Sequence, residues 1–174
     1  MTGKVHTILG VSAAVAITVC HPELYILDAT VYPAIGVVAA IPGSLLPDID
    51  IAQSKAGQKV PWLSKMLTHR GITHTLLVPL IIAGLFVLSM HIPVLPSLLF
   101  GLEVGYVAHI FADMFNSKGV PILWPLSKDK IHFANVKTAS AGQQLVFIII
   151  WEVLLALWIL NHYNLFPMIM GLFQ

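Results

Sequence analysis

Long greasy segments alternate with short polar intervals along this chain. A helix needs about 20 mostly apolar residues to cross bilayer hydrocarbon, and five stretches read that way: residues 5–20, 29–46, 74–90, 96–115 and 144–161. The first lacks the n-region and small-residue cleavage site of a removable signal peptide, so it reads as retained. Pro33, Pro42 and Pro79 fall near ends or first turns, where a missing amide donor costs least, although Pro42 is placed to kink the second stretch one turn before its exit.

Composition turns that pattern into a class. A hydrophobic fraction of 57% and a mean hydropathy of +0.87 exceed what a water-soluble core requires. The expectation is an all-α integral membrane protein, a bundle of about five transmembrane helices forming a single domain over residues 1–174. A net charge of +1 gives no general reason to expect a nucleic-acid partner. The one cysteine, Cys20, rules out an internal disulfide and sits in an apolar run as a small buried hydrophobe.

Charge sets the orientation. Lys4 precedes the first span, Lys55, Lys59, Lys65 and Arg70 lie between the second and third, and Lys118, Lys128, Lys130 and Lys137 lie between the fourth and fifth. All basic residues thus fall on one side, opposite Glu23, Asp28 and the turn from His91 to Leu95. By the positive-inside rule the N-terminus and both long loops are cytoplasmic and the C-terminus is outside. No repeat marks the inverted halves found in many transporters.

Against this apolar background, LPDID (Leu46 to Asp50), HRGITHT (His69 to Thr75) and HIFAD (His109 to Asp113) concentrate carboxylates and imidazoles. His6 is in the first turn of the first span, Asp48 and Asp50 follow the second, His69 and His74 lead into the third, and His109 and Asp113 close the fourth. The topology therefore puts seven potential ligands in one layer near the inner surface, on helix ends from separate parts of the chain. Local spacing agrees. His109 and Asp113, four apart, project from one helix face one turn apart. Asp48 and Asp50 follow Pro47, where one can ligate while the other orients a ligand or binds a second ion. His69 and His74 are five apart, which a continuous helix would splay, but Gly71 permits a bend and Thr73 can cap the third helix.

Six or seven such ligands exceed the needs of one zinc and point to two divalent ions, with zinc the first choice and manganese or iron also suited to imidazole and carboxylate donors. Two ions a few ångströms apart suit hydrolysis of an ester or phosphoester.

His6, Gly10, LPDID, HRGITHT, GYVAHIFADMF and GVPILWPLS (Gly119 to Ser127) together resemble the YdjM-like, LexA-regulated, membrane-bound metal-dependent hydrolases of bacteria. The resemblance spans most of the chain through Ser127 and weakens beyond it. Carried over by position, it implicates His6, Asp48, Asp50, His69, His74, His109 and Asp113 as metal ligands. A distant relation of that family to zinc-dependent phospholipases C and nucleases implies a phosphodiester or phosphomonoester substrate. Those soluble enzymes also ligate through an N-terminal tryptophan, which this chain lacks.

Each residue has a plainer reading. His6 could be an interfacial anchor, and Asp48 or Asp50 a turn residue after Pro47. Asp113 could be a helix-end carboxylate bonded to Asn116 or Ser117, though negative charge at a helix C-terminus opposes the dipole unless a metal offsets it. Arg70 could merely obey the positive-inside rule, yet its planar fork suits a substrate phosphate. Glu103 and Glu152 lie well inside the fourth and fifth spans, where carboxylates are costly and functional by default. Glu103, roughly 9 Å deeper than His109 at 1.5 Å per residue, is expected to act behind the ligands, as a proton path or a polar contact. His21, His91 and His162 fall on the outer side, apart from the site. The loop from Asn116 to Gly142, with Trp124, Lys128 and Lys130, suits an interfacial segment that roofs the site and meets anionic headgroups.

The expected function is hydrolysis of an ester, first a phosphoester, of a membrane lipid at the inner leaflet. Asp50 or Asp48 serves as general base, Glu103 assists, and Arg70, Trp124, Lys128 and Lys130 contact substrate. A divalent-metal transporter, or a metal-binding membrane protein without hydrolytic activity, uses the same ligands, with Glu103 and Glu152 marking a route.

Overall fold

The structure is a computed structural model that describes residues 1–21, 32–54, 56–67, 70–137 and 140–165. The expected ligand His69, together with Lys55, Glu23 and Asp28 of the orientation argument, lies outside the described residues.

Among the described residues six α-helices carry the fold: α1 (Gly3–Cys20), α2 (Tyr32–Gly43), α3 (Pro61–Met66), α4 (Leu77–Leu88), α5 (Leu95–Met114) and α6 (Ala141–His162). Short 3-10 turns cover Pro47–Asp50, Gly57–Lys59 and Ile72–His74. Among the described residues there is no strand, only two isolated bridges, Asn116 with Val136 and Val120 with Ile131.

Each of the five apolar stretches contains a helix, and among the described residues α1, α5 and α6 are the ones long and apolar enough to cross a membrane. α2 and α4 have 12 residues each, about 18 Å of rise against hydrocarbon about 30 Å thick. Local chemistry explains both short helices. Pro42 does not kink a longer α2, because the helix stops at the next residue, Gly43, and the chain turns into the 3-10 segment that holds Asp48 and Asp50. Thr73 does not cap α4. It sits in a 3-10 turn, and the helix starts at Leu77, whose amide donates to the Thr75 hydroxyl at 3.3 Å. At the far end Ser89 closes α4 by donating its hydroxyl to the Phe86 carbonyl at 2.8 Å. The short helix α3, inside the loop between α2 and α4, has too few apolar residues to announce itself by hydropathy.

α5 is the central post, packed against α1, α2 and α4. Helices in a membrane gain little from burying apolar surface against one another, so close backbone approach through small residues does the work. A Cβ on Gly101 would run into the Gly36 carbonyl, one on Gly105 into the Ala40 carbonyl, and one on Gly43 into the Leu102 carbonyl. On α1, a Cβ at Gly10 would stand 2.9 Å from the Ser44 Cβ and 3.2 Å from the Gly105 Cα. This glycine seam draws α1, α2 and α5 together on the side that carries the histidines.

α6 stands further out. It is tied to α1 by Trp151 Nε1, which donates to Ser12 Oγ at 3.0 Å, and by Gln144 Oε1, which accepts from the Thr2 hydroxyl at 3.2 Å. Its other side leaves Leu145, Val146, Ile149, Ile150, Val153 and Leu154 exposed, as a lipid-facing helix should.

The segment after α5 folds back over the end of that helix. Val120 and Ile131 exchange amide–carbonyl bonds of 3.0 and 2.9 Å, the Phe133 amide donates to the Met114 carbonyl at 2.7 Å, and the Val136 amide to the Phe115 carbonyl at 3.0 Å. Val120 is fully buried, whereas Trp124, Lys128 and Lys130 are exposed. The peptide bond between Trp124 and Pro125 is cis.

Candidate metal centre

Three imidazoles and two carboxylates from four separate elements meet beside the C-terminal end of α5. His6 comes from the first turns of α1, Asp48 from the 3-10 turn after α2, His74 from the turn before α4, and His109 and Asp113 from adjacent turns of α5. All are buried, with His6, His74 and His109 at 0% exposure. His6 Nε2 lies 3.4 Å from Asp113 Oδ1, His74 Nε2 lies 3.7 Å from Asp113 Oδ2, and His109 Nε2 lies 3.6 Å from Asp48 Oδ1. The rings of His6 and His109 stack with centroids 3.7 Å apart, and His74 meets His109 edge-on at 5.4 Å.

Two overlapping groups have donor atoms within 4.8 Å of one another: His6, Asp48 and His109, and His74, His109 and Asp113. Their chemistry fits a divalent cation of the zinc, manganese or iron kind. The strongest sign is an accounting one. His6 Nδ1 and Nε2 and His109 Nε2 are buried without a hydrogen-bond partner among the described residues. Burying an imidazole nitrogen unsatisfied is costly, and a cation at the centre of the cage would satisfy His6 Nε2 and His109 Nε2 together.

The surrounding contacts aim the ligands. His109 Nδ1 is 2.7 Å from the Ser44 carbonyl, which makes that nitrogen the N–H and leaves Nε2 with its lone pair facing the cage. His74 Nδ1 sits 3.0 Å from Thr73 Oγ1 and 3.4 Å from Asp50 Oδ2, the arrangement by which carboxylates orient ligand histidines. Tyr106 donates to the Thr73 carbonyl at 2.6 Å and pins the same turn.

Asp50 and Arg70 are buried beside the cage. Among the described residues Asp50 stands outside both donor groups; its Oδ2 accepts from the Arg70 amide at 2.8 Å and from the Thr73 hydroxyl at 2.8 Å, behind His74. The chain bends at Arg70, whose φ of 57° is in the left-handed region, and at Gly71, whose φ of -90° and ψ of -132° lie outside the helical and extended regions. The Asp50 bond to the Arg70 amide holds that strained residue. Arg70 is 6% exposed and not open to solvent. Its Nη2 donates to Asp113 Oδ2 at 2.6 Å and its Nη1 to the Gly119 carbonyl at 2.8 Å, so the fork clamps the returning loop to a ligand carboxylate.

Glu103 is not brought to the cage. It lines a separate cavity of about 450 Å³ with Ala13, Ile17, Val107 and Trp151. Glu152 lines another, between α1 and α6. Two participants carry no side-chain signature in the sequence: the Ser44 carbonyl, and the Met1 main-chain nitrogen, 2.9 Å from Asp113 Oδ1. Only Met1's place one turn before His6 could have pointed to it.

Asp48 lies outside the long helices. Burial first, and the nearby charge of Asp113 second, push its carboxyl up to about 6.

The family model described as YdjM inner membrane protein matches residues 1–173. Inner membrane protein YdjM of Escherichia coli (strain K12) and the protein of the same name from Shigella flexneri are each 42% identical over 97 residues, 51% of this chain and 48% of theirs. The chain therefore spans about half the length of these two relatives. Uncharacterized protein YvsG of Bacillus subtilis (strain 168) is 35% identical over 150 residues, 84% of this chain and 87% of that one. No solved structure matches. The whole-length family match, the membrane-spanning helices and the two relatives named as inner membrane proteins have one conclusion: this chain is a membrane protein and belongs to the YdjM inner membrane protein family.

Proposed function

We propose that the chain is a membrane-bound metal-dependent hydrolase acting on an ester, first a phosphoester, of a lipid in the cytoplasmic leaflet. The observation that carries this reading is the convergence of buried, hydrogen-bond-poor imidazole nitrogens of His6 and His109 on the carboxylates of Asp113 and Asp48.

Two ions fit the donor set better than one. His109 has a single nitrogen to give, because Nδ1 is engaged by Ser44, so it can serve one ion only. Asp113 offers Oδ1 toward His6 and Oδ2 toward His74, and so can bridge. The residues that would hold the ions are then His6, Asp48 and His109 for one, and His74 with Asp113 for the other. When bound, such ions supply Lewis-acid polarisation of the substrate oxygen and make a water acidic enough to react at neutral pH.

The chain's own residues divide the remaining work. Asp48 or Asp50 serves as general base, Asp48 from within the cage and Asp50 from behind His74. Asp50 orients His74. Arg70 positions Asp113 and balances its charge, in place of the direct phosphate contact its sequence context implied. Trp124, Lys128 and Lys130 are exposed on the returning loop and are free to meet a lipid headgroup.

The test is metal analysis of the purified protein with a screen of phospholipids for turnover. Bound metal at one to two equivalents and release of a phosphorylated or deacylated product, both lost in Asp113→Ala, support the reading. A protein that neither holds nor accepts a divalent ion ends it.

One observation favours a second reading, transport of a divalent metal. Glu103 and Glu152 each bury a carboxylate oxygen without a hydrogen-bond partner among the described residues, and each lines a cavity along α1. Metal uptake into proteoliposomes that is abolished by Glu103→Gln and Glu152→Gln would support it. Uptake unaffected by either would leave the hydrolase.

A further inference from the structure

A long apolar groove lies away from the cage. It is a cleft of about 580 Å³ between α5, α6 and the strip 134–136, walled by Phe111, Phe115, Phe147, Ile150, Trp151 and Leu154. Phe111 and Phe115 stand two residues either side of Asp113, so on a helix they point roughly opposite to it. The groove and the metal centre are therefore on different sides of α5, and the groove is not the reacting pocket.

Three features identify its occupant. Both flanking helices are long enough to span the membrane, so the cleft opens sideways into hydrocarbon and not into water. From Gly142 to Leu154 it follows α6 for about 18 Å, more than half the depth of a single leaflet pair's core of about 30 Å. At the N-terminal end of α6 its lining turns polar, with Asn135 and Gln143, and Gln143 Oε1 accepts from the amide of exposed Lys137 at 2.9 Å. Apolar below and amide-bearing at the rim, with exposed Lys137 next in sequence to the lining residue Val136, this is the profile of a phospholipid seen along its length. The rim is also left open. Gly142 lines the groove, and a Cβ built on it meets nothing within 4 Å, so no packing demand explains a glycine in the first turn of α6, where it costs helix stability.

We propose that this groove seats one acyl chain of an anionic phospholipid, with the headgroup at Lys137 and Asn135, as a resident lipid that joins α6 to the bundle. α6 is held to α1 by Trp151 to Ser12 and Gln144 to Thr2 and meets α5 through Phe147 with Phe115 and Trp151 with Phe111, and the acyl chain lies along that line of rings. The proposal does not depend on hydrolysis.

Trp151 provides the probe. In a protein carrying Trp62→Phe, Trp124→Phe and Trp158→Phe, phosphatidylglycerol with brominated chains is titrated in detergent micelles while Trp151 fluorescence is followed. Saturable quenching at one lipid per chain is expected, weaker with phosphatidylcholine. Gly142→Phe, which blocks the rim, and Ile150→Trp, which fills the depth in a protein followed by a second fluorophore-independent readout, native mass spectrometry, should each weaken retention by about tenfold, the effect of losing contact with about two methylenes. Gly142→Ala should leave it unchanged and serves as the folding control. Quenching that grows in proportion to lipid without saturating, and is indifferent to Gly142→Phe, overturns the proposal. So does efficient cross-linking of Val146→Cys chains to one another, which would show a second copy in the groove.

Discussion

The Nδ1 of His109 rests 2.7 Å from the main-chain carbonyl of Ser44, a bond between the central helix and the residue just past the end of α2. That carbonyl is where it is because Gly10, Gly43 and Gly105 let three backbones touch. The direction in which His109 Nε2 faces the cage is thus set by a glycine seam that contains none of the candidate ligands.

Gly105→Val tests the link. Its new side chain must displace the Ala40 carbonyl, and overpacking of this kind costs about 1–3 kcal/mol. A lower thermal midpoint is expected, with metal affinity reduced about 10–100-fold as the His109 partner shifts. Unchanged affinity in a folded Gly105→Val protein would separate the seam from the site.

Asp113 is expected to be the least replaceable ligand. Asp113→Ala takes a bridging carboxylate from the cage and leaves the buried Arg70 guanidinium without its ion partner, an event that costs about 3–5 kcal/mol in buried pairs. Metal content should fall to background. The double variant Asp113→Ala, Arg70→Ala should recover part of the stability and none of the metal, as read by calorimetry and elemental analysis.

Asp50→Asn should behave differently from a ligand substitution. Because Asp50 holds His74 and the Arg70 amide from behind, metal affinity should drop by about 10–100-fold while the number of ions bound at saturation stays the same. Loss of a full equivalent at saturating metal would mean that Asp50 ligates directly.

Acidity should act through Asp48. Its carboxyl, faced by Asp113, Asp50, His74, His109 and the Met1 nitrogen, is raised to about 6, so metal must expel a proton below that pH. Apparent metal affinity should fall by up to about tenfold per pH unit below 6. In the metal-free protein the sign reverses. A folded-state value above the unfolded one favours the protonated fold, so this residue's contribution is fully present below about 4 and is lost as pH rises toward about 6. Thermal midpoints measured with and without metal across that range should move in opposite directions, and Asp48→Asn should flatten both.

The helices and the depth of the site were legible because hydropathy fixes which residues lie at helix ends, and His6, Asp48, His74, His109 and Asp113 all do. The lengths of α2 and α4 were not legible, since a run of apolar residues does not reveal that Gly43 ends a helix at a close contact or that residues 72–74 wind as a 3-10 turn. Asp48 and Asp50 look equivalent in LPDID. Only the return of Arg70 and Thr73 onto Asp50 separates them, and that is a tertiary contact across about 20 residues of chain. Arg70 looked like a phosphate fork for the same reason, its partner Asp113 being 43 positions away. The Ser44 carbonyl and Met1 nitrogen are main-chain atoms, which every residue has and no motif can flag.

The Arg70 fork joins a ligand carboxylate to the Gly119 carbonyl, and so makes the returning segment 115–137 answerable to what happens at Asp113. Any cation arriving at Asp113 competes with the guanidinium for the same oxygen, and a weakened grip there loosens the segment's hold at Gly119. A cation held at Asp113 would thus be felt at Gly119 through this single side chain.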